Sequence, residues 1–435
     1  MKVVLVACAL LASVAVAHAD DTRVTRTVLP NGLRVLVREN PAAGVVAVSL
    51  LVRAGSRFET ADNAGITNFL HRVMVRGTMR RSALEIATTA EELGGSVDAV
   101  GDVEYAEIRG TALARHWEPL LALVADVALH PTLPADAIQL ERRLILSQIQ
   151  SRLDAPFQHA LDTLVADLYG DHPYSLAAVG RKTSVERLSR EDLLAHYRTV
   201  FQPDRLVLAV SGRVPPAQVV AAARKIFGGM SSAPGAASDP RAPIGDAPPA
   251  TPGGGRRVLD RPAHQAQVLV GFVGPGATDP DYAAVKVMSA VLGGGMAGRF
   301  FVELRDRLGL AYSTGMINPT RAGPAFVVGY LGTVPASADE AEVALLRELA
   351  RSRAEPPTPE ELARAKAYAI GTVVMDRRTN AREAWYLAFF EAIGAGYDFP
   401  SRYARLADAV TAADVQRVAR RYLERPTIVI LRPRP

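Results

Sequence analysis

Two apolar runs stand out along the chain, each followed by a long stretch of helical periodicity. Val45-Val46-Ala47-Val48-Ser49-Leu50-Leu51-Val52 ends at Ala54-Gly55-Ser56, and Ala266-Gln267-Val268-Leu269-Val270-Gly271-Phe272 ends at Gly274-Pro275-Gly276. Runs of this length, rich in valine and closed by glycine or proline, predict buried strands. A second pattern also occurs twice. Ser189-Arg190-Glu191-Asp192 opens a predicted helix to Phe201, followed by Pro203 and a strand from Leu206 to Val210. Thr411-Ala412-Ala413-Asp414 opens another to Tyr422, followed by Pro426 and a strand from Thr427 to Leu431. A capped helix, a proline stop and an apolar strand in the same order predict an internal duplication. Thr358-Pro359-Glu360-Glu361 is a further helix start, with proline at the first helical position.

The stretch 231–262 is rich in Pro, Gly, Ala and Ser, carries no apolar period and reads as a linker. It separates an N-terminal domain, 20–230, from a C-terminal domain, 263–435. Strand runs alternate with long helical stretches, so the fold class is α+β: two tandem homologous α+β domains, each a sheet covered by helices.

Composition adds a compartment. Residues 1–19 have the form of a signal peptide: Lys2, an apolar region from Val3 to Ala17, and the A-x-A site Ala17-His18-Ala19. The expected destination is export, to the periplasm first and the medium second. The single cysteine, Cys8, falls in that leader, so the mature chain is expected to have no disulfide, thiol nucleophile or cysteine metal site. No run of 18 apolar residues remains, and no transmembrane segment is expected. The net charge of +5 is scattered, without a basic block or interleaved aromatics, which argues against nucleic acid.

The chemistry centres on Gly65-Ile66-Thr67-Asn68-Phe69-Leu70-His71-Arg72-Val73-Met74-Val75-Arg76-Gly77-Thr78, a helix-like stretch. It resembles the segment that carries the inverted zinc motif H-x-x-E-H in the pitrilysin-type (inverzincin) metallopeptidases. Asn68 stands where the first His belongs, His71 where the catalytic Glu belongs and Arg72 where the second His belongs. Positions 68 and 72 share one helix face, the geometry two imidazoles need to hold an ion. An amide is a poor zinc ligand, and a guanidinium places a permanent cation where a dication would sit. The resemblance puts the third ligand at Gln148, 76 residues past Arg72, in Glu141-Arg142-Arg143-Leu144-Ile145-Leu146-Ser147-Gln148. A neutral amide again replaces a charged ligand. No metal is expected on this chain.

The remaining histidines, His116, His130, His159, His172, His196 and His264, show no H-E-x-x-H and no close pair in sequence. Asp171-His172-Pro173-Tyr174 resembles a family loop and reads as a turn with a satisfied histidine. Gly293-Gly294-Gly295-Met296-Ala297-Gly298 matches G-x-G-x-x-G but follows the helix-like run Tyr282 to Leu292, so it reads as a loop permitting close backbone approach rather than a dinucleotide site.

The positive signal lies in the second half. Arg299-Phe300-Phe301-Val302-Glu303-Leu304-Arg305-Asp306-Arg307-Leu308-Gly309-Leu310-Ala311-Tyr312-Ser313 resembles the family segment L-R-x-x-x-G-L-A-Y-S. There the resemblance implies that Arg305 and Tyr312 bind substrate backbone and stabilise the tetrahedral intermediate formed at zinc. A guanidinium and a phenol suit that role, as donors fixed where negative charge develops. Gly309 is expected to break the helical register and put Tyr312 at the start of a strand or turn.

Taken together, the resemblance implies two halves facing one another across a chamber as a half-clamshell. It implies a zinc-free subunit, inactive alone, that pairs with a zinc-bearing homologous peptidase subunit and lends it Arg305 and Tyr312. The expected substrates are unfolded peptides, and zinc is expected on the partner. The alternative is a non-catalytic peptide-binding or scaffold protein of the same fold; a third option is an autonomous peptidase with a rearranged metal site.

Overall fold

The apolar runs become the central strands of two sheets. The computed structural model describes residues 24–231 and 254–433. The expected leader, 1–19, and most of the expected linker lie outside the described residues. In the first half the elements run β1 (Val24–Val28), β2 (Arg34–Glu39), β3 (Val45–Val52), α1 (Ile66–Met74), α2 (Ala83–Glu92), β4 (Ser96–Gly101) and β5 (Ala106–Leu113). They continue with α3 (Trp117–Leu129), α4 (Ala135–Asp154), α5 (Pro156–Tyr169), α6 (Lys182–Arg187), α7 (Arg190–Val200), β6 (Leu206–Gly212) and α8 (Pro216–Phe227). The second half contains β7 (Gly255–Arg261), β8 (Ala266–Val273), α9 (Tyr282–Gly293), β9 (Ser313–Ile317), β10 (Phe326–Thr333) and α10 (Ala338–Ala354). It closes with α11 (Pro359–Asp376), α12 (Asn380–Ala392), α13 (Phe399–Ala409), α14 (Ala412–Tyr422) and β11 (Thr427–Pro433).

The expected helix starts form as side-chain caps. Ser189 accepts from the Asp192 amide, Thr358 from Glu361 and Thr411 from Asp414, each satisfying a backbone donor that the first turn leaves open.

The duplication is legible in the strand order. The first sheet runs β1-β2-β6-β3-β5-β4 and the second β7-β11-β8-β10-β9. Leaving β1 aside, each begins with a parallel pair, β2–β6 or β7–β11, and continues with three antiparallel pairs. β7 therefore corrects the linker boundary: residues 255–261 form the edge strand equivalent to β2. Its residues are almost all exposed and include Arg256, Arg257 and Arg261, so no buried face stamps an apolar period on them. β1 and β2 likewise lie ahead of the first apolar run.

Helices are exchanged between the halves. Along β8, Val268, Val270 and Phe272 face the second half's own helices, whereas Leu269 faces Ala160 and Leu164 of α5, a helix of the first half. On the first sheet Val46, Val48 and Leu50 join the first-half core, while Ala47 and Leu51 join a core that includes Ala384, Leu387 and Ala388 of α12, from the second half. Period-two alternation thus sends each strand's side chains to two different cores. Both faces are buried, which is why the runs read as continuously apolar. Gly271 makes room for the exchanged α5: a Cβ there would lie 2.5 Å from Leu164 Cδ2. At the other exchange Asn380 Nδ2 donates to the Val45 carbonyl at 3.0 Å, and its Oδ1 accepts from Ser211 Oγ at 3.2 Å.

Candidate functional site

α1 begins where two backbones touch. Gly65 has φ +92°, and a Cβ there would lie 2.7 Å from Gly180 Cα, so the left-handed turn and the close approach both call for glycine. The buried Glu59 carboxylate supplies the missing cap, accepting from the Gly65 and Thr67 amides at 2.6 and 3.0 Å. Burial pushes its pKa up against these hydrogen bonds.

From there α1 drives Phe69, Leu70, Val73 and Met74 into the core and presents Asn68 and Arg72 towards α4, with Arg76 following in the turn after the helix. On α4, Glu141 and Gln148 are two turns apart and face back. Arg72 Nε donates to Glu141 Oε2 at 2.7 Å, and its Nη1 donates to Gln148 Oε1 at 3.2 Å. Arg76 Nε donates to the other Glu141 oxygen at 2.7 Å. The structure thus brings together the positions that the resemblance aligned with metal ligands, and it fills the space between them with a guanidinium. These residues do not fit zinc: Arg72 and Gln148 bond to each other, and among the described residues no group of three or more His, Cys, Asp or Glu side chains is placed to hold a metal ion.

His71 turns away from this face. It is fully buried and stacks on Phe201 with ring centroids 5.6 Å apart. Its Nδ1 lies 2.8 Å from the Thr67 carbonyl and must donate to it, leaving Nε2 as a bare acceptor with no partner among the described residues. Burial brings its pKa down to about 4. His196 reaches the same spot, with Nε2 3.0 Å from Thr67 Oγ1, and burial followed by the charge of His71 lowers it to about 3. Since the Thr67 hydroxyl also bonds Glu59, the ordered reading is His196 N–H to Thr67 O–H to Glu59. His71 and His196 are therefore close in space although 125 residues separate them, beyond the reach of any local motif.

Asn68 and Gln148 open onto a cleft of about 300 Å³, lined also by Arg152, Tyr169, Tyr174 and, from the second half, Arg321. His172 accepts from the Tyr174 amide at 3.1 Å and stacks on Tyr169, so the Asp171–Tyr174 turn holds its histidine as expected. Tyr174 carries more than that reading gave it. Its hydroxyl donates to Glu104 at 2.6 Å and accepts from the Gly323 amide at 3.0 Å, tying the halves together at the cleft. Glu104 in turn takes Arg57 Nη1 at 2.7 Å, a buried ion pair.

Arg305 and Tyr312 lie elsewhere. Phe301–Arg307 winds as a π-helix, Gly309 follows with φ +66°, and Tyr312 comes immediately before β9, as the register break predicted. Arg305 Nη1 donates to the Tyr312 carbonyl at 3.0 Å, with its guanidinium 4.9 Å from the Phe301 ring centroid. Tyr312 is 59% exposed. The pair is assembled, but neither residue lines the Asn68–Gln148 cleft. Gly293 does permit close backbone approach: a Cβ there would lie 2.4 Å from the Met316 amide nitrogen.

Comparison with known proteins gives a family match for each half in turn. Residues 34–181 match the family described as Insulinase (Peptidase family M16), and residues 187–368 match Peptidase M16 inactive domain. An uncharacterized zinc protease of Mycobacterium leprae is 35% identical over 300 residues, which is 68% of this chain and 66%, just under two thirds, of that protein. An uncharacterized zinc protease of Streptomyces coelicolor is 28% identical over 420 residues, 94% of this chain and 90% of its own. In fold, the chain superposes on the crystal structure of a peptidase M16 inactive domain from Pseudomonas fluorescens with a TM-score of 0.86 at 22% identity, covering 95% of this chain and 98% of that one. A protease from Helicobacter pylori gives 0.85 at 20% identity, covering 94% and 99%.

Proposed function

The chain belongs to peptidase family M16, and from that premise we propose that it is a zinc-free subunit of a two-subunit peptidase. The observation that carries this reading is the Arg72–Gln148 hydrogen bond. Where metal ligands would converge, a cation is held by Glu141 and by an amide, and a second cation there would meet direct repulsion. This chain's own residues therefore offer no route to an activated water. What it offers a partner is the exposed Arg305–Tyr312 pair, a guanidinium and a phenol free to face another subunit's reacting carbonyl. Their roles would be to bind substrate backbone and to donate to the developing oxyanion, the kind of interaction whose loss costs about 3 kcal/mol of transition-state stabilisation. Unfolded peptides are the substrates that fit such a shared site, and the chain acts outside the cytoplasm if its leader is processed as expected.

One observation favours the scaffold alternative: Arg305 already spends a donor on the Tyr312 carbonyl and packs on Phe301, a contact complete without substrate. Both readings meet in one experiment. A quenched-peptide library is offered to the protein alone, and to its mixture with a zinc-bearing homologue from the same cell. Hydrolysis only in the mixture, abolished by chelation and lowered about 10²–10³-fold by Arg305→Ala, is the expected result. No hydrolysis and no association by light scattering leaves the scaffold reading.

A further inference from the structure

Beneath α9 lies a cavity of about 220 Å³ that the proposed peptidase role does not use. It is walled by aromatic and apolar groups, among them Tyr282, Met316, Phe390, Phe399 and Tyr403, and among the described residues no Asp or Glu lines it. One cation does. Lys286 Nζ donates to the Asn318 carbonyl and lies 5.2 Å from the Tyr282 ring centroid, and none of its ion pairs appears among the described residues. One turn on, Ser289 also lines the cavity, and its hydroxyl has no hydrogen-bond partner there.

We propose that this cavity binds a small organic acid, its carboxylate paired with Lys286 and its apolar tail lying among the rings. The argument is one of missing charge. Lys286 is partly buried; a cation withdrawn from water is ordinarily held by a carboxylate, and this protein does so at the partly buried Arg72–Glu141 pair and at the buried Arg57–Glu104 and Arg299–Glu361 pairs. Lys286 instead has one backbone carbonyl and a ring face, which leaves an ammonium donor unspent. The remaining requirement is an anion, and the rings of Tyr282, Phe390, Phe399 and Tyr403 give an apolar body on that anion a surface to lie against. The volume suits a single ring on a short chain.

The consequence in pH has a definite sign. Burial, with the nearby Arg321 charge second, lowers the Lys286 pKa to about 7. Facing it are Tyr282 on its own helix, Arg321 ahead of β10, and Tyr368, Tyr386 and Tyr403 on α11, α12 and α13. Tyr282, Tyr386 and Tyr403 are all held above their ordinary values by burial. The ammonium exists below neutrality, so an acid should bind best there and weaken as the amine loses its proton.

The test is calorimetric titration of the full chain with 3-phenylpropionate. Saturable one-site binding is expected near pH 6, with Kd rising about tenfold per pH unit above about 7. The uncharged 3-phenylpropionamide should bind at least about tenfold more weakly, and Lys286→Met should abolish binding of the acid while leaving the melting temperature equal or higher. Absence of binding, equal affinity for acid and amide, or undiminished affinity in Lys286→Met would each overturn the proposal. If Lys286→Met does not fold, the amide and the pH profile decide it on the unmodified protein.

Discussion

At the scale of single residues, the face of α1 that the resemblance aligns with a zinc site is an ion-pair surface. Glu141 is 1% exposed and is held by Arg72 and Arg76 together. Either arginine alone keeps the carboxylate paired, so Arg72→Ala should cost about 1 kcal/mol. Arg72→Ala with Arg76→Ala leaves a buried charge uncompensated and should cost about 3–5 kcal/mol, well beyond the sum of the single changes. Urea denaturation of Arg72→Ala, Arg76→Ala and the double variant measures this; additive losses would mean that Glu141 is not jointly held. His71 gives a second prediction. Its folded pKa, about 4, lies below the ordinary 6.5, so the unfolded chain binds the proton more readily. Stability should therefore be intact above pH 6.5 and fall as pH drops towards 4, by about 3 kcal/mol from this group. His71→Leu should flatten that acid limb of the melting temperature, though not the part due to His196; an unchanged limb would place the titration elsewhere.

At the scale of elements, the informative feature is the exchange of α5 and α12. Strands β3 and β8 present apolar side chains on both faces, and in each case one face is covered from the other half of the chain. Gly271→Val should push α5 off β8 and cost about 1–3 kcal/mol. Asn380→Ala, which strips partners from the Ser211 hydroxyl and the Val45 carbonyl, should cost a similar amount, about 1–3 kcal/mol. Both are read from thermal melts. A neutral Gly271→Val would show that α5 has slack against the sheet. The duplication itself was readable in the repeated capped helix, proline stop and strand, because caps and prolines act within a few residues. The exchange was not, because an amphipathic helix carries no mark of which sheet it will cover. β7 was missed for the opposite reason: an exposed edge strand is fixed by backbone pairing to β11, which leaves little trace in side-chain pattern.

At the scale of the whole molecule, interlocked halves should unfold together. Each sheet would lose the cover of one face if the other half melted, so a single calorimetric transition is expected, with equal van't Hoff and calorimetric enthalpies. Two separated transitions would refute the interlock. The same scale holds the functional prediction: in the two-subunit assay Arg305→Ala should lower kcat about 10²–10³-fold, with Tyr312→Phe in the same direction, while neither changes the fold of this chain.

The sequence by itself determined the two α+β units, the caps, the register break at Gly309 and the residue types at 68, 71, 72 and 148, which the resemblance sets against three metal ligands and a catalytic base. Those are matters of local periodicity, backbone freedom and side-chain chemistry, which the residues carry wherever they are placed. Only the tertiary structure decided that Arg72 reaches Gln148, that His71 turns inward to meet His196 across Thr67, that Lys286 has no counter-ion among the described residues, and that each half covers the other's sheet. These depend on which distant surfaces pack together, and packing is settled by the shape and burial of the whole chain rather than by any one stretch of it.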